Sequence, residues 1–249
     1  MTQMYNYSFS VPRASRLKYL KEATRTPNVS GLKILDWGGN NGNVLRDGLA
    51  SNEILPEDYT CIDVDGKVIE QSAELFPRAT WITRPVTHPV YRFHNCDDDL
   101  DFTPHLNKYD IVFAHSVYTH DVWEKAVKDL EIMYSLTKPG GKVCFTYIDN
   151  EAAQIFRIRR EKHYGSSIKP SDIAEIADFS YFINHDTLTQ NYDRTKSCDF
   201  FIAIYNTKWL EEQIKARWNN YSFYKPDLSK VNNFSTEAWH PSVTIIKEV

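Results

Sequence analysis

Apolar residues in this chain fall into short, nearly unbroken runs. Between the runs lie longer stretches where they recur every three or four positions. The runs Lys33–Trp37, Tyr59–Val64, Tyr109–Ala114 and Lys142–Ile148, with the weaker Ala79–Thr83, read as strands. Asn43–Leu49, Lys67–Phe76 and Asp121–Thr137 read as helices; Ile69, Ala73 and Phe76 share one face of the second, and Val122, Ala126, Leu130 and Met133 one stripe of the third. Pro12 starts a further helix that reaches Thr24. Strands that are apolar on both faces and alternate with helices predict βαβ units and a mostly parallel sheet with helices on both faces, an α/β protein. After Asn150 the pattern loosens. Residues 151–163 read as a helix, Ser171 as the N-cap of a helix over 172–178, and 184–199 as a polar stretch. Phe200–Tyr205 is an apolar run, Trp209–Trp218 a helix, and Tyr221–Tyr224 and Ser242–Val249 two last strands. This divides the chain into an N-terminal lid and helix (1–28), a cofactor-binding core (29–150), a cap insertion (151–198) and a segment that completes the core sheet (199–249).

Composition narrows the picture. The 249 residues are 42% hydrophobic, enough for a sizeable core, and the net charge of −4 disfavours a duplex nucleic acid as partner. Cys61, Cys96, Cys144 and Cys198 lie far apart, in no metal-binding spacing, so reduced thiols and no metal are expected. There is no signal-like apolar stretch in MTQMYNYSFSVPR and no run of the ~20 apolar residues that a membrane span needs, so a cytoplasmic protein without a membrane partner is expected.

The sharpest chemical signal is KILDWGGNNGN, residues 33–43. A buried strand ends in Asp36, a glycine turn follows, and a helix begins. Glycines there allow positive φ and a close approach of the backbone to a ligand, and the helix start offers unpaired N–H groups. No G-x-G-x-x-G can be drawn, which counts against a dinucleotide site. The second signal is Asp63 at the tip of the second strand, where a carboxylate can accept hydrogen bonds from both ribose hydroxyls; Asp65 is the neighbouring alternative. The third is YDIVFAHSVYTH, then a helix, then LTKPGGKVCFTYID.

Together these segments, roughly residues 30–150, resemble the motifs of class I S-adenosylmethionine-dependent methyltransferases of the small-molecule type. The turn is similar to D/E-x-G-x-G-x-G, with Asn40 where a middle glycine is expected. The resemblance implies a Rossmann-like, mostly parallel seven-stranded sheet with a cap insertion. It also implies S-adenosylmethionine as cofactor, leaving as S-adenosylhomocysteine. Carried over residue by residue, the cofactor site is Asp36, Gly38, Gly39, Asn40 and Gly42 at the turn and Asp63 with Val64 after strand two. Cys96 and Asp97 fall at the expected adenine position, with Asp98, Asp99 and Asp101 as alternative registers, and Ala114 and His115 follow at the end of strand four.

The loop after strand four lies outside the carboxyl ends of the strands, where ligands bind in such sheets. His120, with Tyr118 and His115 beside it, is the candidate general base, since imidazole titrates near neutrality. The other reading of His120 is a cap on the helix that begins at Asp121. Tyr7, Ser116, Tyr118, His120 and Tyr147 are the candidate substrate contacts. Tyr5, Tyr7 and Phe9 form either a lid or surface packing for the first helix. A small, planar or aromatic metabolite methylated on N or O, with C as the less favoured atom, is the expected partner, for a monomer or homodimer. An NAD-dependent oxidoreductase and a catalytically silent binding module are the alternatives.

Overall fold

The computed structural model describes residues 15–86, 100–119, 123–149, 151–153, 173–176, 180–184, 201–227 and 240–249. In chain order the strands are β1 (Ile34–Trp37), β2 (Tyr59–Asp63), β3 (Thr80–Thr83), β4 (Tyr109–Ala114), β5 (Thr137–Thr146), β6 (Ile173–Ile176), β7 (Ser180–Asn184), β8 (Phe201–Tyr205), β9 (Tyr221–Tyr224) and β10 (Ser242–Ile246). The helices are α1 (Arg16–Thr24), α2 (Asn43–Ser51), α3 (Gly66–Leu75), α4 (Trp123–Leu136) and α5 (Thr207–Lys215).

Seven strands form one sheet in the order β3-β2-β1-β4-β5-β10-β9. β1 to β5 are parallel. β10 is inserted antiparallel between β5 and β9. The mostly parallel α/β sheet read from the sequence is therefore the observed architecture. Alternate side chains of each strand go to opposite faces. Leu35, Trp37, Val112, Ala114, Val143 and Phe145 meet α4 and α5. Ile34, Cys61, Ile111, Phe113 and Cys144 meet α1, α2 and α3.

The strand order reverses between β1 and β4, which opens a crevice at their carboxyl ends. α1 is clamped beside that crevice. Ser15 caps its start, and Asp47 of α2 accepts the Arg16 amide at 2.6 Å. At the other end, the Lys142 ammonium donates to the Thr24 carbonyl and the Thr26 hydroxyl at 2.7 and 2.9 Å, satisfying one carbonyl the helix leaves open.

Two expectations about the C-terminal part are corrected. Residues 173–176 form strand β6 rather than part of a helix, because β7 offers an antiparallel partner and pairing outweighs local helix propensity. The apolar run 201–205 does not join the core sheet. It is β8, paired with β7 in a separate three-stranded antiparallel sheet. That small sheet docks on the strand ends: the Ala203 N–H donates to the Thr119 carbonyl and the Tyr205 N–H to the Ile148 carbonyl, both at 2.7 Å. Among the described residues no helix is long and apolar enough to cross a membrane.

Candidate active site

The turn after β1 is built by its backbone. Gly38 and Gly42 take φ of +68° and +71°, in the left-handed region that glycine enters without a Cβ clash. Asn40, where a glycine was expected, takes φ +51°, and asparagine is among the few residues that tolerate this. The Gly38 N–H donates to the Ile62 carbonyl at 2.7 Å, and the Asn40 N–H to Asp63 Oδ2 at 2.8 Å. The turn is thus tied to the tip of β2 at both its ends. Gly42 then opens α2 without a side-chain cap.

Two carboxylates flank this turn in different surroundings. Asp63 is 9% exposed and accepts from the backbone N–H groups of Asn40 and Asp65. Burial raises its pKa, and the N–H groups of Asp65 and Asn40, then Val64, hold it down. Asp65, the alternative considered from sequence, caps α3 instead through the Lys67 and Val68 amides. Asp36 is 3% exposed and lies under the turn, accepting from the Tyr59 hydroxyl at 2.7 Å. Burial pushes its pKa up to about 7, the Tyr59 hydrogen bond opposes this, and the neighbouring Asp63 adds to it.

A carboxyl group raised in the folded state binds its proton more tightly there than in the unfolded chain. Stability is then greatest at low pH and falls as pH rises from about 4 to about 7. The rise at Asp36 is worth on the order of 4 kcal/mol. Asp36→Asn is expected to flatten the urea-unfolding free energy between pH 5 and 7; an unchanged slope would show that Asp36 is not the group responsible.

At the end of β4, Ala114 is fully buried and offers only backbone. His115 Nε2 lies 2.6 Å from Arg16 Nη1. A guanidinium only donates, so this nitrogen accepts and the ring is neutral. Burial, Arg16 and His240 together place the His115 pKa well below the usual histidine value. Ser116 takes φ +60°. Its N–H donates to Thr146 Oγ1 at 2.8 Å, its carbonyl accepts from Thr119 Oγ1 at 3.1 Å, and its hydroxyl lies 3.1 Å from His240 Nδ1. The Tyr19 hydroxyl donates to the His240 carbonyl at 2.6 Å, and the His115 and His240 rings lie 5.2 Å apart.

The structure brings together Asp36, Gly38, Gly39, Asn40, Gly42, Asp63 and Val64 at one edge, and His115 and Ser116 beside them. Tyr118 and Tyr147 are not in that cluster. Tyr118 turns into the core, where its hydroxyl meets Met133 Sδ at 3.1 Å. Tyr147 is buried against Phe223. Both belong to the α4 and α5 face: Tyr147 continues the alternation of Val143 and Phe145, and Tyr118 packs edge-on against Phe145 from the loop after β4. Tyr7, Cys96, Asp97 and His120 lie outside the described residues.

Arg16 and His240 were missed from sequence. A cation in the first turn of a helix opposes the helix dipole, which is a readable sign that Arg16 serves something other than α1. His240 had no such signal, because it reaches the site only once β10 inserts beside β5. On the far side of Asp63, Arg84 forms a buried ion pair with Asp129 of α4 at 2.8 Å and lies 4.8 Å from the Trp37 ring centroid.

No protein-family model and no curated protein matches the sequence. Similar solved structures exist. The PH0226 protein of Pyrococcus horikoshii OT3 is 13% identical over 93% of this chain and 86% of its own, with a TM-score of 0.54. An O-methyltransferase family protein of Burkholderia thailandensis is 12% identical over 93% of this chain and 55% of its own, with a TM-score of 0.52. A protein of Methanococcus maripaludis assigned to the S-adenosyl-L-methionine-dependent methyltransferases is 11% identical over 94% and 84%, with a TM-score of 0.50. At such identities the likeness is one of fold. The chain has the Rossmann-like α/β fold found in class I methyltransferases.

Proposed function

We propose that the chain is an S-adenosylmethionine-dependent methyltransferase acting on a small molecule. The observation that carries this reading is the joining of the turn to Asp63 through the Asn40 amide, which sets a left-handed backbone bend and a β2 carboxylate side by side at the switch point of the sheet.

The residues present fit a sulfonium nucleoside. Asp63 keeps lone pairs beyond its two backbone bonds, enough to accept from ribose hydroxyls. In the turn itself, Asn41 Oδ1 is buried with no hydrogen-bond partner among the described residues, an acceptor suited to a donor such as an ammonium or hydroxyl group. Asp36 acts through the turn rather than on the ligand. A Cβ at Gly39 would lie 2.5 Å from the Asp36 carboxyl carbon, so only glycine lets the bend close over that acid. When bound, the cofactor supplies an electrophilic methyl group. The chain holds it, orients the acceptor and excludes water, and positioning of this kind contributes much of the rate in such transfers.

The acceptor we infer is a small, planar or aromatic metabolite. The small antiparallel sheet docked on the strand ends and the net charge of −4 support it over a duplex nucleic acid. Residues 151–198, with the aromatics Phe156, Tyr164, Phe179, Tyr181 and Phe182, are the expected specificity segment. Calorimetric titration tests the reading. Binding of S-adenosylmethionine and S-adenosylhomocysteine without NAD is expected; binding of NAD alone would replace it with an oxidoreductase.

A further inference from the structure

The geometry points to a Ser116–His240 proton relay that makes the methyl acceptor a hydroxyl compound; this rests on the methyltransferase reading above. Ser116 is a non-glycine residue held in the left-handed region by two backbone-directed bonds, the Thr146 hydroxyl on its N–H and the Thr119 hydroxyl on its carbonyl. Strain that the surroundings enforce in this way concentrates at functional sites. Its effect is to aim the Ser116 hydroxyl at His240 Nδ1, 3.1 Å away.

The two histidines of the cluster are not equivalent. His115 Nε2 already accepts from Arg16, so that lone pair is unavailable for an incoming proton. His240 presents Nδ1 to a hydroxyl, a group that both donates and accepts. His240 is itself 8% exposed, whereas Ser116 is half-buried, so an acceptor reaches the imidazole through the serine rather than directly. Ser116 is then the group that touches the acceptor, and His240 the positioning residue behind it. Among the described residues the His115 ring faces the His240 ring, the Arg16 guanidinium lies on Nε2 of His115, and the Tyr19 hydroxyl is bonded to the His240 carbonyl.

In the step, the acceptor hydroxyl passes its proton to Ser116 Oγ as the serine proton moves to His240 Nδ1. The acceptor oxygen forms its bond to the methyl carbon while the carbon–sulfur bond breaks and its electron pair returns to sulfur, giving a neutral thioether. After the product leaves, His240 Nδ1 returns its proton to Ser116 Oγ as the serine releases the acceptor's proton to solvent. An amine with a free lone pair needs no such relay.

The relay has a test that needs no substrate. NMR of protein carrying 15N-labelled histidine is expected to show neutral His240 with Nε2 protonated and Nδ1 bare, and Ser116→Ala is expected to shift the Nδ1 resonance. Protonated Nδ1 in the neutral ring would overturn the proposal, because that nitrogen would then be donating to the serine. Activity is read with radiolabelled S-adenosylmethionine on catechol, 4-hydroxybenzoate, aniline and benzylamine. Methylation of a hydroxyl compound is expected, with kcat about 100-fold lower in His240→Gln and in Ser116→Ala. The deficit in His240→Gln should shrink as pH rises, because hydroxide then removes the acceptor's proton; a merely structural loss would not recover. Transfer to the amines alone, or to none of the four, contradicts the hydroxyl assignment. Failure of S-adenosylmethionine to bind at all would instead reject the methyltransferase reading and is scored separately from the NMR result.

Discussion

Asp129→Ala is expected to lower the unfolding free energy by about 3–5 kcal/mol, the usual cost of breaking a buried ion pair by removing one partner. The side chains of Arg84 and Asp129 are 9% and 8% exposed and meet at 2.8 Å. Arg84 has no easy escape to solvent. Its guanidinium lies over Trp37 and 5.7 Å from the Phe102 ring centroid, and its amide is bonded to the Asp63 carbonyl at 2.9 Å. The cation therefore stays in place when its partner is removed. Replacing both residues together, as Arg84→Met with Asp129→Leu, is expected to recover most of the loss, because a paired charge buried in a core is worth little more than a well-packed apolar pair. Urea unfolding at pH 7 measures both. A loss under 1 kcal/mol in the single variant would show that the pair is hydrated rather than buried. Because Arg84 holds the backbone of Asp63, the single variant should also weaken whatever Asp63 binds.

The second large effect is at Gly42. Gly42→Ala is expected to cost about 2–5 kcal/mol, of which about 1–2 comes from forcing a Cβ into the left-handed region and about 1–3 from overpacking. Gly31 separates the two contributions. It has φ +75°, close to the +71° of Gly42, but a Cβ added there meets nothing within 4 Å among the described residues. At Gly42 the added Cβ would lie 2.5 Å from the Trp81 ring. That ring cannot easily yield, since its Nε1 donates to the Phe76 carbonyl at 3.1 Å and it packs against Tyr59 and Phe76. Gly31→Ala should therefore lose only the conformational part. Equal losses at the two positions in urea unfolding would remove the steric argument.

Much of the fold was legible because the signals were local. The unbroken apolar runs marked β1, β2, β4 and β5, and the turn DWGGNNG marked the crevice beside them. What could not be read depended on contacts distant in sequence. Phe200–Tyr205 looks like a core strand, and only the presence of β7 as a partner explains why it pairs elsewhere. Tyr118 sits in a loop that reads as catalytic, yet its ring packs edge-on against Phe145 and its hydroxyl meets Met133. Asp63 is the sequence choice for the β2 carboxylate with Asp65 as its alternative, and the alternative falls away once α3 claims Asp65 as its cap. His240 comes 124 positions after its partner Ser116, and no periodicity or motif links the two.

The account rests on Asp63 and the turn it holds forming a nucleoside pocket. The most direct test is calorimetric titration of S-adenosylmethionine into the protein and into a folded Asp63→Ala variant. One-to-one binding to the parent and at least a 100-fold weaker Kd in the variant are predicted, since losing hydrogen bonds to a charged acceptor removes roughly 1.5–3 kcal/mol apiece. Equal affinity of the two proteins would contradict the account.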